Sequence, residues 1–141
     1  MKDKLNRRLT DLRISVTDRC NFRCRYCMPE ELYGEAYEFL KKDQVLSFEE
    51  IVRLTKIFIK LGVNKVRLTG GEPLVRKNIE TLISSISSLD ESVDLAMTTN
   101  GYLLNKFANI LFSSGLKRLT ISLDSLDNDI FQKMSGKKFN V

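Results

Sequence analysis

One joint occurs twice in this sequence. Gly62-Val-Asn-Lys-Val-Arg-Leu-Thr69 and Gly115-Leu-Lys-Arg-Leu-Thr120 both pass from a glycine into a short β-rich run, and both follow apolar residues at helical spacing. Ahead of the first joint, Ser47-Phe-Glu-Glu50 reads as a capping box, with Ser47 as N-cap and Glu50 reaching back. Ile51, Leu54, Phe58 and Leu61 then recur on one helical face, and Gly62 ends the helix. Strands are predicted over 12–17, 63–69, 93–99 and 116–123, and helices over 78–88 and 103–114, with the start of another helix after the last strand. Ile79, Leu82, Ile83 and Ile86 form the buried face of the middle helix. Strands alternating with helices imply right-handed βαβ units and a parallel sheet of about four strands. The fold class is therefore α/β.

That architecture concentrates function at one end, because ligands bind at the carboxyl ends of parallel strands. Four informative segments fall there: the loop holding Cys20, Cys24 and Cys27; Gly70-Gly71-Glu72-Pro73; Thr98-Thr99-Asn100-Gly101; and Ser122-Leu123-Asp124-Ser125. The cysteines are the chain's only three, spaced C-x3-C-x2-C, and the chain has no histidine. A structural zinc takes four closed ligands, usually Cys or His, whereas thiolates hold iron–sulfur clusters. Three of them on a cubane leave one iron open to an outside ligand, so the spacing and the missing fourth ligand favour a cluster over zinc or free buried thiols. An odd count within eight residues is also a poor disulfide framework.

The net charge of +5 lies wholly in residues 1–28, which hold eight Lys or Arg against three Asp; residues 29–141 hold fifteen of each sign. Arg7, Arg8, Arg13, Arg19, Arg23 and Arg25 thus surround the cysteines. Such a patch suits an anionic cofactor or substrate and would lower the thiol pKa values. For Lys2 to Arg8, a solvated arm is an equal alternative. Nucleic acid is not expected as a partner, because aromatic residues are not interleaved with the basic ones. No run approaches the length needed to cross a membrane, and the charged N-terminus lacks an apolar signal region. These features predict a cytoplasmic protein.

Cys20-Asn-Phe-Arg-Cys24-Arg-Tyr-Cys27 resembles the cysteine loop of radical S-adenosylmethionine (SAM) enzymes. In that family three cysteines hold a [4Fe–4S] cluster, and the methionyl group of S-adenosylmethionine chelates the fourth iron. Reduction then releases a 5′-deoxyadenosyl radical. Gly70-Gly71-Glu72-Pro73, by itself a plausible turn, is similar to the family's GGEP motif, which holds the cofactor's amino group. The resemblance implies that the glycines admit close backbone approach to the ligand and that Glu72 pairs with its ammonium.

The match narrows from 11–20 through Tyr26-Cys27-Met28-Pro29, Arg67 to Arg76, Thr98 to Gly101 and Ile121 to Asp124. These segments resemble the GTP 3′,8-cyclases of molybdenum cofactor biosynthesis. The resemblance implies an incomplete (β/α) barrel, with Cys20, Cys24 and Cys27 on the cluster. Tyr26, Gly70, Gly71, Glu72 and Ser122 would serve the cofactor, and Arg13, Arg67 and Thr98 would contact GTP. A forked guanidinium suits phosphate or a purine edge, while Tyr26 would serve equally as core packing. No catalytic side chain is assigned. Family chains are longer, and their C-terminal region carries three more cysteines on a second cluster. Residues 1–141 are thus expected to be the truncated N-terminal part of a radical SAM core, binding one cluster without completing turnover. Expected partners are GTP, an electron donor, and a second copy or completing chain at the exposed last strand. A cluster-binding fragment without catalysis, or a family enzyme with another substrate, are the alternatives.

Overall fold

Among residues 2–141, which the computed structural model describes, four strands pair in parallel in chain order. They are β1 (Asp11–Ser15), β2 (Lys65–Thr69), β3 (Asp94–Thr99) and β4 (Arg118–Ile121). A short helix, α1 (Glu30–Tyr33), follows the cysteine loop, and α2 (Phe48–Lys60), α3 (Ile79–Ser87) and α4 (Leu104–Ser113) are the crossovers. Sequential strands joined by right-handed crossovers place all three helices on one face of the sheet. There α3 packs between α2 and α4. Leu12 and Ile14 of β1, Val66 and Leu68 of β2, and Leu95 and Met97 of β3 meet Ile79, Leu82, Ile83, Ile86 and Leu111 in one core.

The helices α2 and α4 end where the repeated joint begins. Val63 N donates to Phe58 O and Leu116 N to Leu111 O, both at 3.1 Å, while Gly62 and Gly115 take positive φ. This is one Schellman cap used twice, each with an apolar contact closing it. The joints consume the first residues expected for β2 and β4, so both strands start two residues late. The capping box forms: Glu50 N donates to Ser47 Oγ at 3.2 Å and Ser47 N to Glu50 Oε2 at 2.7 Å. The buried stripe of α2 differs from expectation. It centres on Ile51 and Thr55, with Leu54 and Leu61 exposed. Thr55 tolerates the core because its hydroxyl donates to Ile51 O at 2.8 Å.

The other sheet face carries the polar and charged strand residues. The register aligns Arg13 with Arg67, Arg67 with Ala96, and Ala96 with Arg118, and one step on, Thr98 with Thr120. The arginines that look out of place in a parallel strand therefore share an open polar face. β4 is an exposed edge throughout. After it comes α5 (Asn128–Ser135), capped by Asp127, whose carboxylate accepts from Ile130 N at 3.0 Å. The basic arm lies exposed with Arg7 paired to Asp3 at 2.7 Å, as a solvated arm would be. Among the described residues no helix is long and apolar enough to cross a membrane.

Candidate cofactor and substrate site

The cysteine loop leaves β1 and runs directly over the glycines after β2. Gly71 N donates to Thr17 O at 2.7 Å and Glu72 N to Arg19 O at 2.8 Å. A Cβ on Gly70, which sits at φ +151°, would stand 2.5 Å from Thr17 O, and one on Gly71 would overlap Arg19 O. These glycines permit the close approach of the chain's own backbone, which seats the cysteine loop on β2.

Cys20 and Cys24 are half-buried and Cys27 is exposed. Cys27 N and Met28 N both donate to Cys24 O, at 3.0 and 2.9 Å, closing a turn. The expectation that arginines lower the thiol pKa values is not met. Burial pushes the Cys20 and Cys24 thiols above their ordinary value, outweighing the Phe22 amide and Arg23 at Cys20 and the Tyr26 hydroxyl at Cys24. Arg23 is engaged elsewhere: its Nε donates to Tyr33 O and its Nη1 to Cys20 O, both at 2.8 Å. It braces the loop from within.

Glu72 is 1 % exposed, and its carboxylate accepts from Leu74 N at 3.0 Å, Thr99 Oγ1 at 2.8 Å and Asn100 N at 2.7 Å. Glu72 thereby ties the β2 loop to the β3 loop. Asn100 carries the tie onward, its Nδ2 donating to Asn21 Oδ1 at 2.8 Å. Asn21 Nδ2 is buried with no acceptor.

Tyr26 does not pack in the core. It is 64 % exposed and reaches across the strand ends, its hydroxyl donating to Asp124 Oδ1 at 3.0 Å. Burial of the hydroxyl, then the bond to Asp124, raises the phenol pKa. Ser122 lies exposed beside Asp124, its N–H donating to Thr99 O at 2.9 Å. Arg67 Nη1 donates to Thr98 Oγ1 at 3.0 Å and Thr120 Oγ1 at 2.8 Å. Arg13, Lys65, Arg67 and Arg118, with Asp11 and Asp94, line a cavity of about 380 Å³ on the open face. Arg118 is bidentate to Asp94, with Nε 2.9 Å from Oδ1.

The structure thus brings all the sequence-assigned residues to two adjoining places. The cysteines, Tyr26, Gly70, Gly71, Glu72 and Ser122 stand at the strand ends, and Arg13, Arg67 and Thr98 on the open sheet face. The helix whose start was expected after the last strand is α5, capped by Asp127 and Gly136; its contact with the cysteine loop was not read from the sequence. Its C-terminus accepts from the cysteine loop, Arg23 N to Ser135 O at 3.0 Å and Arg25 N to Met134 O at 3.2 Å. Phe22 packs edge-on against Phe131 with ring centroids 6.0 Å apart, and Tyr102 lies 4.4 Å from Phe139.

Three thiols on one loop suit a cluster, because in a cubane each thiolate binds its own iron. The unsatisfied amide of Asn21 beside Cys20 is the kind of donor that an anionic cluster or cofactor carboxylate would satisfy.

The family model described as the radical SAM superfamily matches residues 14–141. The GTP 3′,8-cyclase of Staphylococcus haemolyticus is 53% identical over 137 residues, and that of Staphylococcus aureus 47%. Both matches cover 97% of this chain, which spans about 40% of the length of those relatives. Among solved structures, Streptococcus suis SuiB bound to S-adenosylmethionine superposes with a TM-score of 0.71 at 23% identity, over 89% of this chain and 28% of SuiB. BtrN in complex with AdoMet and 2-DOIA gives 0.60 at 18% identity, over 79% of this chain and 44% of BtrN. At such identities the likeness shows the fold.

Proposed function

The chain belongs to the radical SAM superfamily, and on that premise we propose that residues 1–141 are the radical-generating, N-terminal part of a GTP 3′,8-cyclase core. The observation that carries the substrate assignment is the register of Arg13, Arg67 and Thr98 on one open face beneath the cysteine loop. Cys20, Cys24 and Cys27 would hold a [4Fe–4S] cluster, whose bound S-adenosylmethionine supplies a 5′-deoxyadenosyl radical for hydrogen abstraction from GTP ribose. Tyr26, Gly70, Gly71 and Ser122 border the cofactor's place at the strand ends. Glu72 would pair with the cofactor's ammonium while its carboxylate fixes the β2 and β3 loops against each other. The guanidinium groups of Arg13 and Arg67 supply forked donors suited to a triphosphate or purine acceptor. An electron donor serves the cluster from outside the chain, and the exposed β4 edge is where a second copy or completing chain would extend the sheet.

Anaerobic reconstitution followed by iron analysis and EPR tests the reading. The expected result is roughly four iron atoms per chain, with a spectrum that changes when S-adenosylmethionine is added. Absence of cluster, or a spectrum indifferent to the cofactor, refutes it. GTP protecting the chain against heat no better than ATP would move the substrate assignment to another member of the superfamily.

A further inference from the structure

Asn100 follows β3, 80 positions from the first cysteine, yet its side chain reaches that thiol. Its Nδ2 donates to Asn21 Oδ1 at 2.8 Å and lies 3.9 Å from Cys20 Sγ. The amide is held from both sides. Its Oδ1 accepts from Tyr102 N at 3.1 Å, which leaves Nδ2 facing Asn21 and Cys20, and its backbone N–H is fixed by Glu72 at 2.7 Å. Phe22 N addresses the same sulfur at 3.4 Å. Asn21, pinned by Asn100, keeps a second donor buried without an acceptor. Such a desolvated donor is costly to leave unmet, and it stands next to the residue that would carry iron.

We propose that Asn100 is a positioning residue for the first cluster ligand, holding Cys20 through Asn21 and giving its sulfur an N–H donor that raises the cluster's reduction potential. The potential part rests on the cluster reading above. An N–H directed at a ligating sulfur stabilises the reduced, more negative state, and hydrogen bonds to sulfur are among the levers that set cluster potentials. Glu72 and Asn100 then form one line from the GGEP motif to the cluster.

Two measurements test this on the full chain. In the cluster-free protein, alkylation at Cys20 is compared with Cys27, since trypsin separates 20–23 from 26–41. Asn100→Ala is expected to raise the Cys20-to-Cys27 rate ratio several-fold, and Asn21→Ala to do the same should the first variant fail to fold. An unchanged ratio overturns the positioning role. In the reconstituted protein, the size-matched Asn100→Leu is expected to retain its iron while its midpoint potential moves to more negative values by EPR-monitored titration. An unmoved potential at full iron content overturns the donor role. A parent chain that takes up no cluster would instead refute the superfamily chemistry proposed here, and the thiol ratio would still decide the positioning role.

Discussion

Glu72 shows how a residue assigned to a ligand can also bind its own chain. Its carboxylate is buried and accepts from three donors of that chain. Glutamine in its place offers one acceptor oxygen and sets an NH2 group against existing N–H donors. Glu72→Gln is therefore expected to destabilise the chain by about 1–3 kcal/mol, read as a lower urea midpoint with an unchanged slope. The cysteines make a pH prediction. Cys20 and Cys24 have pKa values raised above the ordinary 9.0, chiefly by burial. The folded chain then holds protons that the unfolded chain releases, so this contribution is complete below pH 9 and is lost as pH rises through the folded values. Cluster-free protein should lose denaturant stability above pH 9, and Cys20 alkylation should rise at higher pH in the folded chain than in urea. A stability curve flat across that range would contradict the burial of these thiols.

At the scale of elements, the cysteine loop is held on two sides. The glycines after β2 lie beneath it and α5 closes against it, each through backbone hydrogen bonds. Gly136 ends α5 at φ +68°, and a Cβ there would stand 2.6 Å from Arg23 O. Gly136→Ala should therefore cost about 1–2 kcal/mol in backbone strain and also loosen the loop. Hydrogen exchange at the Arg23 and Arg25 amides should accelerate more than at β3. A uniform increase would mean that the substitution acts on global stability alone. Ser47→Ala is the contrasting case. It removes the α2 cap, whose hydrogen bonds stay within 47–50, and should cost about 0.5–2 kcal/mol while leaving cysteine alkylation in the folded state unchanged.

For the whole molecule, the open face of the sheet decides what the chain can hold. Arg13 is exposed on an edge strand and Arg67 half-buried on a central one, so their joint loss removes charge without removing core. Arg13→Ala combined with Arg67→Ala should abolish thermal protection by GTP and leave iron uptake as in the parent. Protection that persists would place the nucleotide elsewhere. Much of this was legible in the sequence, because the repeated glycine joint and the apolar stripe of α3 are local patterns that dictate helix, stop and strand. The three thiols with no histidine likewise set the ligand chemistry by composition alone. Side-chain partners far apart in sequence were not legible. Glu72 with Asn100, Tyr26 with Asp124, and α5 with the cysteine loop meet only after the sheet has ordered its strand ends. The sequence by itself determined the βαβ order and placed the cysteines, the Gly70-Gly71 pair and Ser122 at the strand ends, since each follows from short-range spacing. Only the tertiary structure decided that the strand-borne arginines share an open face, that Glu72 is a tie and that burial outweighs nearby positive charge at the thiols. Those outcomes depend on which distant groups share space and which lose water, and no local spacing encodes either.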